Sequence, residues 1–321
     1  MKRKSIQIAA LAAVAALLAV IPGVAHAEDQ PGQGRAVITV LPRDNNGQVA
    51  PLQQQQVSVK VNGKTSNVTR WEQLRGENSP VEMVILIDGA ARSSLGSQME
   101  DIQHFVQGLP ANTSATIAYM MNGRAAMTGP LSTDHAAVLR GLHIPSGGTP
   151  GVSASPYFCL SDLARNWPSN NPQARREVVM ITDGVDYYDA HYDPEDPYMQ
   201  AAINDSVHAR LTVYSIYWRN MGRLDNYAGP ADAGQNLLTQ VTGATGGTNY
   251  WQGYGNPVSL QPYLQDIGRR LNNQYEVSFM APFKGKPQVE TFKLKLDAPG
   301  AKISAPQQVL VMGSESAGGE Q

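Results

Sequence analysis

The middle of this 321-residue chain alternates short apolar runs with amphipathic stretches, and this alternation restricts the fold more than any other feature. The run "EMVILID", which ends at Asp88, is almost continuously apolar, as expected for a strand covered on both faces. The next stretch, "LGSQMEDIQHFVQGL", places apolar residues at helical spacing from Leu95 to Val106. Strands that alternate with helices form a mostly parallel sheet with helices on both faces, so we predict an α/β fold over residues 81–273.

Further segments of the same kind follow along the middle of the chain. The runs "SATIAYMM", "RREVVMITDG" and "ARLTVYSIYW" are predicted strands of the same sheet. Helical spacing of apolar residues predicts helices near residues 134–139, 157–167, 199–209, 235–242 and 260–271.

The two ends of the chain instead show the alternating pattern of half-buried strands. "RAVITVL" and "QVSVKV" precede the tight-turn signal Asn62-Gly63, and "YEVSFMA", "ETFKLKLDA" and "QQVLVM" form the other end. We predict a linker and β segment at 28–80, whose polar linker is residues 28–34, then a β segment at 274–312 and a flexible tail at 313–321. Together the two β segments are expected to form one small, sandwich-like β module.

Residues 1–27 have the three-part layout of a secretory signal peptide. Residues 2–4 are basic, an apolar run follows, and "VAHA" offers a cleavage site after Ala27. Pro22 and Gly23 interrupt the apolar run before it reaches the length of a membrane anchor. We therefore expect a secreted or periplasmic protein without a membrane span after cleavage. Loss of three basic residues changes the formal net charge from −2 to −5, which disfavours nucleic-acid binding.

Two of the predicted strands end on carboxylates, at Asp88 and Asp183. In open α/β sheets, ligands bind outside the carboxyl ends of the strands. Two neighbouring carboxylates repel each other unless a cation or a shared proton lies between them. A hard cation with oxygen ligands is the natural candidate for such a site.

The segments "VILIDGAARSS", "PSGGTP", "ITDGVD" and "LTVYSIYW", in this order and spacing, resemble the von Willebrand factor type A (vWA) family. More closely they resemble the VWFA-related proteins of the kind found in Acidobacteria. The resemblance extends from residue 81 to the C-terminus and implies a vWA/Rossmann-like, mostly parallel sheet with helices on both faces. It also implies adhesion or assembly through a metal-ion-dependent adhesion site (MIDAS). At such a site, a carboxylate of the partner completes the coordination of Mg²⁺ or a similar cation.

The metal motif of that family begins Asp-x-Ser-x-Ser, and this chain matches it only in part. Asp88 matches, but Ala90 and Arg92 occupy the two serine positions, and neither side chain offers an oxygen ligand. Thr149 aligns with the later threonine, with Ser153 and Ser155 as competing positions, and Asp183 aligns with the final aspartate. The resemblance therefore implies a degenerate MIDAS, in which Asp88, Thr149 and Asp183 would bind Mg²⁺ or Ca²⁺ weakly. The candidate partner-binding residues are Asp88, Ala90, Arg92, Ser93, Thr149, Asp183 and Asp186.

Arg92 leaves three interpretations open. Its guanidinium can form a charge-assisted pair with Asp88 or Asp183 and so supply internally the positive charge that a metal supplies elsewhere. Alternatively, Arg92 points to solvent while Asp88 caps the following helix. In the third interpretation a residual metal site remains.

An acidic stretch, "DGVDYYDAHYDPEDP", borders the predicted site. It lacks the glycine-centred pattern of an EF-hand, so a solvated loop is favoured over a calcium loop. Asp196 is predicted to cap a helix that begins with proline. The residues that this loop offers to a partner are Tyr187, Tyr188, Asp189 and Tyr192.

Signatures of an enzyme are missing from the sequence, which has no Gly-x-Ser-x-Gly elbow and no His-Glu-x-x-His pair. The single cysteine, Cys159, excludes an intrachain disulfide and is best explained as a small buried residue. We therefore expect a non-enzymatic module that binds a protein partner through the top of the sheet, with or without a metal. One alternative is an envelope scaffold whose terminal β module binds by strand addition. A hydrolase built on Asp88 and Asp183 is a remote alternative.

Overall fold

The computed structural model describes residues 30–44, 49, 51–75, 79–91, 93–145, 155–188, 193–219, 228–253 and 255–314. The predicted signal peptide and most of the predicted tail lie outside these residues. Within the described residues, no helix combines the length and the apolar character needed to cross a bilayer.

The described elements are mainly strands at both ends of the chain and strands interspersed with helices in the middle. The strands are β1 (Gln30–Pro42), β2 (Val57–Val61), β3 (Lys64–Gln73), β4 (Val81–Asp88), β5 (Thr113–Met121), β6 (Arg124–Met127), β7 (Arg175–Thr182), β8 (Leu211–Tyr217), β9 (Asn249–Tyr250), β10 (Gln274–Phe283), β11 (Gln288–Leu296), β12 (Ala301–Ser304) and β13 (Gln308–Gly313). The helices are α1 (Met99–Gln107), α2 (His135–Leu139), α3 (Pro156–Arg165), α4 (Pro197–His208), α5 (Ala228–Thr245) and α6 (Gln261–Leu271), with short 3₁₀ turns at Gln54–Gln56 and Ser93–Gln98.

The middle of the chain forms a six-stranded sheet with the order β6-β5-β4-β7-β8-β9. Five strands are parallel, and the edge strand β6 is antiparallel to β5. Numbered within the sheet, the order is 3-2-1-4-5-6, which places the reversal of strand order between β4 and β7. The sheet is therefore mixed, because the turn at Asn122-Gly123, with φ values of 50° and 74°, folds β6 back along β5.

Helices cover both faces of this sheet. Along β4, Met83, Ile85 and Ile87 belong to the apolar cluster that contains α1, α2 and α6. The alternate residues Val84 and Leu86 belong to the cluster that contains α3, α4 and α5. The α/β class predicted from the sequence is confirmed.

Strands from both ends of the chain form a second β unit, which is a closed antiparallel barrel. Its order is β10-β3-β2-β11-β13-β1, pairing between β1 and β10 closes it, and β12 pairs with β1 alongside β13. The interior contains Ile38, Val59, Val277, Phe279 and Val311. The sequence predicted a sandwich-like module, and the structure corrects this, because the 13 residues of β1 are long enough to pair with β10, β12 and β13.

The predicted linker at residues 28–34 is wrong in its second part, since β1 already begins at Gln30. Two glycines explain the error. A Cβ added at Gly34 would lie 2.5 Å from the ring of Phe279, and one at Gly32 would lie 2.6 Å from Cβ of Phe283. These glycines make room for side chains of the neighbouring strand, so here they indicate close packing and not flexibility.

A buried polar joint connects the barrel to the α/β unit. Gln274, at the start of β10, accepts a hydrogen bond from Nη1 of Arg175 and donates to Oε1 of Glu177 at 2.8 Å. On α6, Nη1 of Arg270 donates to the hydroxyl of Ser304 in β12 at 3.1 Å. The two units are therefore joined through hydrogen bonds between buried groups.

Candidate functional site

Asp88 is the last residue of β4, and only 9% of its surface is exposed. Its Oδ1 accepts a hydrogen bond from the backbone N–H of Ala90 at 2.8 Å, and its Oδ2 accepts one from the hydroxyl of Thr182 at 2.8 Å. Thr182 ends the adjacent strand β7. The carboxylate thus fixes the turn after β4 and connects two strand ends at the point where the strand order reverses.

Asp183 follows Thr182 and is also buried. Its Oδ1 accepts a hydrogen bond from the backbone N–H of Val185 at 3.0 Å, and its Oδ2 accepts one from the hydroxyl of Tyr187 at 2.6 Å. This carboxylate therefore organises the loop after β7 in the way that Asp88 organises the loop after β4.

Two glycines allow α5 to approach the end of β7. Gly184 has a φ of +68°, and a Cβ added to it would lie 2.5 Å from Cγ of Leu238. A Cβ added to Gly234, on α5, would lie 2.0 Å from the carbonyl oxygen of Asp183. The glycine of "TDG" is thus required by backbone conformation and by helix packing, independently of any ligand.

Further buried carboxylates concentrate negative charge at this edge. Asp196 caps α4, as the sequence predicts, and accepts from the backbone N–H groups of Tyr198 and Met199 at 2.8 Å. Oδ1 of Asp186 accepts from the backbone N–H of Tyr188 at 2.8 Å. The neighbouring Tyr157 is fully buried, and its pKa is raised by that burial and then by the charges of Asp196, Asp183 and Asp186.

Cys159 lies on α3 and is almost completely buried. Burial, and then the negative charges of Asp88 and Asp162, raise the pKa of its thiol to about 12. A thiol with that pKa is protonated at neutral pH and is a poor nucleophile. The prediction of a small buried residue is confirmed.

Several predicted site residues lie outside the described residues, namely Arg92, Thr149, Asp189 and Tyr192. For Ser93 only the backbone is described, at the start of the 3₁₀ turn. The structure brings Asp88, Asp183 and Asp186 to the same edge of the sheet.

The described side chains do not fit a complete cation site. Mg²⁺ requires six oxygen ligands in near-octahedral geometry. At this edge the carboxylate oxygens of Asp88 and Asp183 all accept hydrogen bonds within the chain, and Ala90 presents a methyl group where the family motif has a serine. Across the part of the chain that the structure describes, no three His, Cys, Asp or Glu side chains are arranged to hold a metal ion.

Exposed large apolar side chains gather at the same edge of the sheet. Among the described residues they are Met121, Ile144, Tyr188, Trp251 and Val258, with exposed fractions of 55%, 50%, 48%, 52% and 94%. Met121 ends β5, Tyr188 lies beyond the end of β7, and Trp251 follows β9. The described part of the barrel exposes no side chain of this class.

Two of these residues flank the 3₁₀ turn that follows Asp88. A Cβ added to Gly96 would lie 3.0 Å from Cδ1 of Ile144. The carbonyl oxygen of Val258 accepts a hydrogen bond from Nε2 of Gln98 at 3.1 Å. Met121 is also close, since its Cγ lies 3.8 Å from the position of a Cβ on Gly89. Ile144, Val258 and Met121 therefore border the site built around Asp88.

The segment that carries Trp251 and Val258 is anchored on both sides. Nε2 of Gln235 donates to the carbonyl oxygen of Gly253 at 2.9 Å. Oδ2 of Asp101 accepts from the hydroxyl of Ser259 at 2.7 Å. The exposure of both apolar side chains is therefore a property of a loop held by hydrogen bonds.

The two described tyrosines of the predicted rim have different roles. Tyr187 donates to Asp183, as described above, whereas Tyr188 packs edge-on against Phe158 and Tyr198, with ring centroids 5.3 and 5.2 Å away. Tyr188 is thus a half-exposed aromatic side chain supported by α3 and α4. Met121, Ile144, Trp251 and Val258 were not predicted as site residues from the sequence. Apolar residues among turn formers, as in "WQGYGNPV", were the available signal for two of them.

Sequence comparison assigns this chain to no family, since no protein-family model and no curated protein matches it. Solved structures with similar folds include an aerotolerance-related membrane protein from Bacteroides fragilis, with 16% identity over 60% of this chain and 98% of that chain and a TM-score of 0.40. The ArnB paralog VWA2 from Sulfolobus acidocaldarius has 9% identity over 85% of this chain and 75% of that chain, with a TM-score of 0.40. Manganese-loaded TRAP protein from Plasmodium vivax has 12% identity over 75% and 98% of the two chains, with a TM-score of 0.41.

These similarities are too distant to carry an argument about function. The fold class rests instead on the strand order and on the positions of Asp88 and Asp183 at its reversal point, which agree with the vWA-like fold that the sequence resemblance implies.

Proposed function

We propose that this protein is a protein–protein interaction module that binds its partner with the carboxyl edge of the α/β sheet. The observation that supports this most directly is the gathering of Met121, Ile144, Tyr188, Trp251 and Val258 at that edge. Exposed apolar patches mark interaction surfaces, and aromatic residues and methionine are enriched at the centres of interfaces. In this proposal, Asp88 and Asp183 hold the loops that present the apolar side chains.

Recognition in this proposal is independent of a metal, because the described oxygen ligands do not complete the coordination shell of a cation. Arg92 is proposed to supply the positive charge that a cation supplies in a MIDAS. We expect isothermal titration of the mature protein with Mg²⁺, Mn²⁺ and Ca²⁺ to give no saturable binding in the micromolar range. Micromolar binding that Asp88→Ala abolishes would contradict this part of the proposal.

Catalysis is not part of the proposed function. The four carboxylate oxygens of Asp88 and Asp183 accept hydrogen bonds from fixed donors, which suits a structural role for the pair better than proton transfer. The hydrolase alternative predicts that Asp183→Asn removes an activity without a change in stability.

Site-specific photocrosslinking in the native envelope tests the proposed surface. A photoreactive amino acid at position 121 or 258 is expected to crosslink one partner protein, and the exposed barrel position Lys293 serves as the matched control. The substitution Val258→Asp should weaken crosslinking from position 121, because it places a charge in the apolar surface. Crosslinks from the barrel position alone would contradict the proposal.

We also propose that the protein acts outside the cytoplasm after removal of residues 1–27. N-terminal sequencing of the protein from the envelope or medium is expected to begin at Glu28. A mature protein that retains Met1 would contradict this location.

The scaffold alternative has one specific observation in its favour. One edge of β3 faces away from β10. Along that edge, only Lys64, Thr65 and Ser66 of β3 pair with β2. Among the described residues, no strand pairs with the rest of that edge, so an extended peptide has backbone groups to bind there. Crosslinks from position 72 with none from position 258 would support this alternative.

A further inference from the structure

A cleft of about 600 Å³ lies between the barrel and the amino edge of the α/β sheet. Residues before β7 and between α4 and β8 form one wall, and residues of β1, β10 and β13 form the other. Ligand sites of this volume are common where two structural units meet. The cleft lies at the end of the sheet opposite to the proposed partner surface and is independent of it.

Positive charge dominates the lining of this cleft. Four arginines are among its lining residues, namely Arg35, Arg175, Arg176 and Arg210, and Glu276 is the one acidic residue in the described lining. A guanidinium group binds carboxylate and phosphate through two parallel hydrogen bonds. The composition of the lining therefore favours an anion.

Two of these arginines mainly hold the structure together. Arg176 donates to the carbonyl oxygens of Ala209 and Ser169 at 3.3 and 3.2 Å. Arg175 donates to the carbonyl oxygen of Leu271 at 2.9 Å and is part of the buried joint. Both contribute positive potential to the cleft without being its principal binding groups.

Arg35, on β1, retains donors for a ligand. Its Nη2 donates to the carbonyl oxygen of Pro172 at 2.8 Å, and its Nη1 lies 4.0 Å from Oε2 of Glu276. The other N–H groups of Arg35 have no acceptor among the described residues, and 30% of the side chain is exposed. Arg35 therefore combines a fixed position with spare hydrogen-bond donors.

Arg210 occupies an unusual backbone conformation. Its φ is +58°, and the other non-glycine residues with positive φ in the described ranges, Asn62 and Asn122, both precede a glycine in a tight turn. Glycine is the common residue just after a helix in this conformation, and a side chain there is strained. The strain is retained at an arginine that lines the cleft.

Arg35 and Arg210 reach the same part of the cleft. Nη2 of Arg210 contacts Sδ of Met312 at 3.8 Å, and Met312 pairs with Gln33 across β1 and β13. Arg35 and Gln33 are two residues apart on β1, so their side chains share one face of that strand. Met312, as the partner of Gln33, projects from the same face, and its Cα lies about 8 Å from that of Arg35. We propose that this cleft binds a small anion with phosphate or carboxylate groups, with Arg35 and Arg210 as the binding residues.

Titration calorimetry of the mature full-length chain tests the proposal. Inorganic phosphate and citrate are titrated separately, at an ionic strength held constant with potassium chloride, so that the tighter ligand identifies the preferred group. We expect saturable binding of at least one anion and a roughly tenfold weaker affinity in Arg35→Gln and in Arg210→Gly, because each loses a charge-assisted hydrogen bond. Arg70→Gln is the matched control, since Arg70 is an exposed arginine elsewhere on the barrel, and it should bind as the wild type does.

Arg210→Gly separates binding from folding. Glycine adopts a φ of +58° without strain, so this variant should keep or raise the melting temperature while it loses affinity. Saturable binding of neither anion, or wild-type affinity in Arg210→Gly, would overturn the proposal. Loss of affinity in Arg35→Gln alone, together with a lower melting temperature, would show that Arg35 only connects the two units, and would also overturn it.

Discussion

At the scale of single residues, buried acidic groups do different work in two parts of the molecule. Asp88 and Asp183 are carboxylates that accept hydrogen bonds from the loops and strand ends around them. Glu177, at the joint with the barrel, has no exposed surface. Its Oε1 accepts from Gln274, and its Oε2 has no hydrogen-bond partner among the described residues. Both carboxylate oxygens of Asp88 and of Asp183 are therefore hydrogen-bonded, whereas only one oxygen of Glu177 is.

Glu177 should make the stability of the protein depend on pH. Burial raises its pKa from 4.5 to about 7, and the positive charge of Arg175 and the hydrogen bond from Gln274 offset this only in part. Because the folded-state pKa is above the unfolded value, the stabilisation from proton binding is fully present below about pH 4.5 and is lost as pH rises through about 7. We expect this group to lower the free energy of unfolding by about 3 kcal/mol between pH 5 and pH 8.

Glu177→Gln isolates that contribution. The amide stays neutral at all these pH values and can still accept a hydrogen bond from Gln274. Urea unfolding at pH 5, 6, 7 and 8 should therefore give a smaller decrease for the variant than for the wild type. Parallel pH profiles for the two proteins would contradict the prediction.

At the scale of elements, α5 has the tightest contact with the candidate site. The sequence predicted only residues 235–242 of this helix, which spans Ala228–Thr245. The predicted part contains its apolar positions Leu237, Leu238 and Val241, whereas the first turns are rich in glycine and alanine. Small residues give little periodic signal, yet Gly234 is what allows this helix to lie against Asp183.

Gly234→Ala should destabilise the protein by about 1–3 kcal/mol, because the added Cβ would lie 2.0 Å from a backbone oxygen and the helix must shift. Gly268→Ala on α6 is the matched control, since no atom lies within 4 Å of its added Cβ. The control should stabilise by about 0.5–1 kcal/mol, as alanine does in helices. Urea denaturation of both variants measures the difference, and equal effects of the two substitutions would show that the packing of Gly234 is not limiting.

At the scale of the whole molecule, β10 connects the two units. It pairs with β1 and β3 in the barrel, and its first residue, Gln274, joins the buried network of Arg175 and Glu177. If either unit unfolded alone, these groups would lose their partners, which is costly for buried charges. The two units should therefore unfold together.

Urea unfolding followed by far-ultraviolet circular dichroism and by tryptophan fluorescence should give coincident transitions. Trp71 reports on the barrel, whereas Trp167, Trp218 and Trp251 report on the α/β unit. A variant with Trp71 as its sole tryptophan makes the comparison specific. Two separated transitions would show that the joint does not couple the units.

The sequence by itself determined the features that depend on local periodicity. Apolar runs and helical spacing identified the α/β class, and the rule for strand ends identified the edge of the sheet where Asp88 and Asp183 lie. The N-cap at Asp196 was also readable, because capping involves residues adjacent in the chain.

The tertiary structure decided the features that depend on residues far apart in sequence. Closure of the barrel requires pairing of Ala36 with Val277, and the cleft depends on a contact between Arg35 and Pro172. The exposure of Val258 at 94% likewise follows from how its loop is anchored, and no hydrophobic pattern records that. A pattern along the chain reports which face of an element is apolar, whereas only the packing of distant elements decides which apolar side chains remain uncovered.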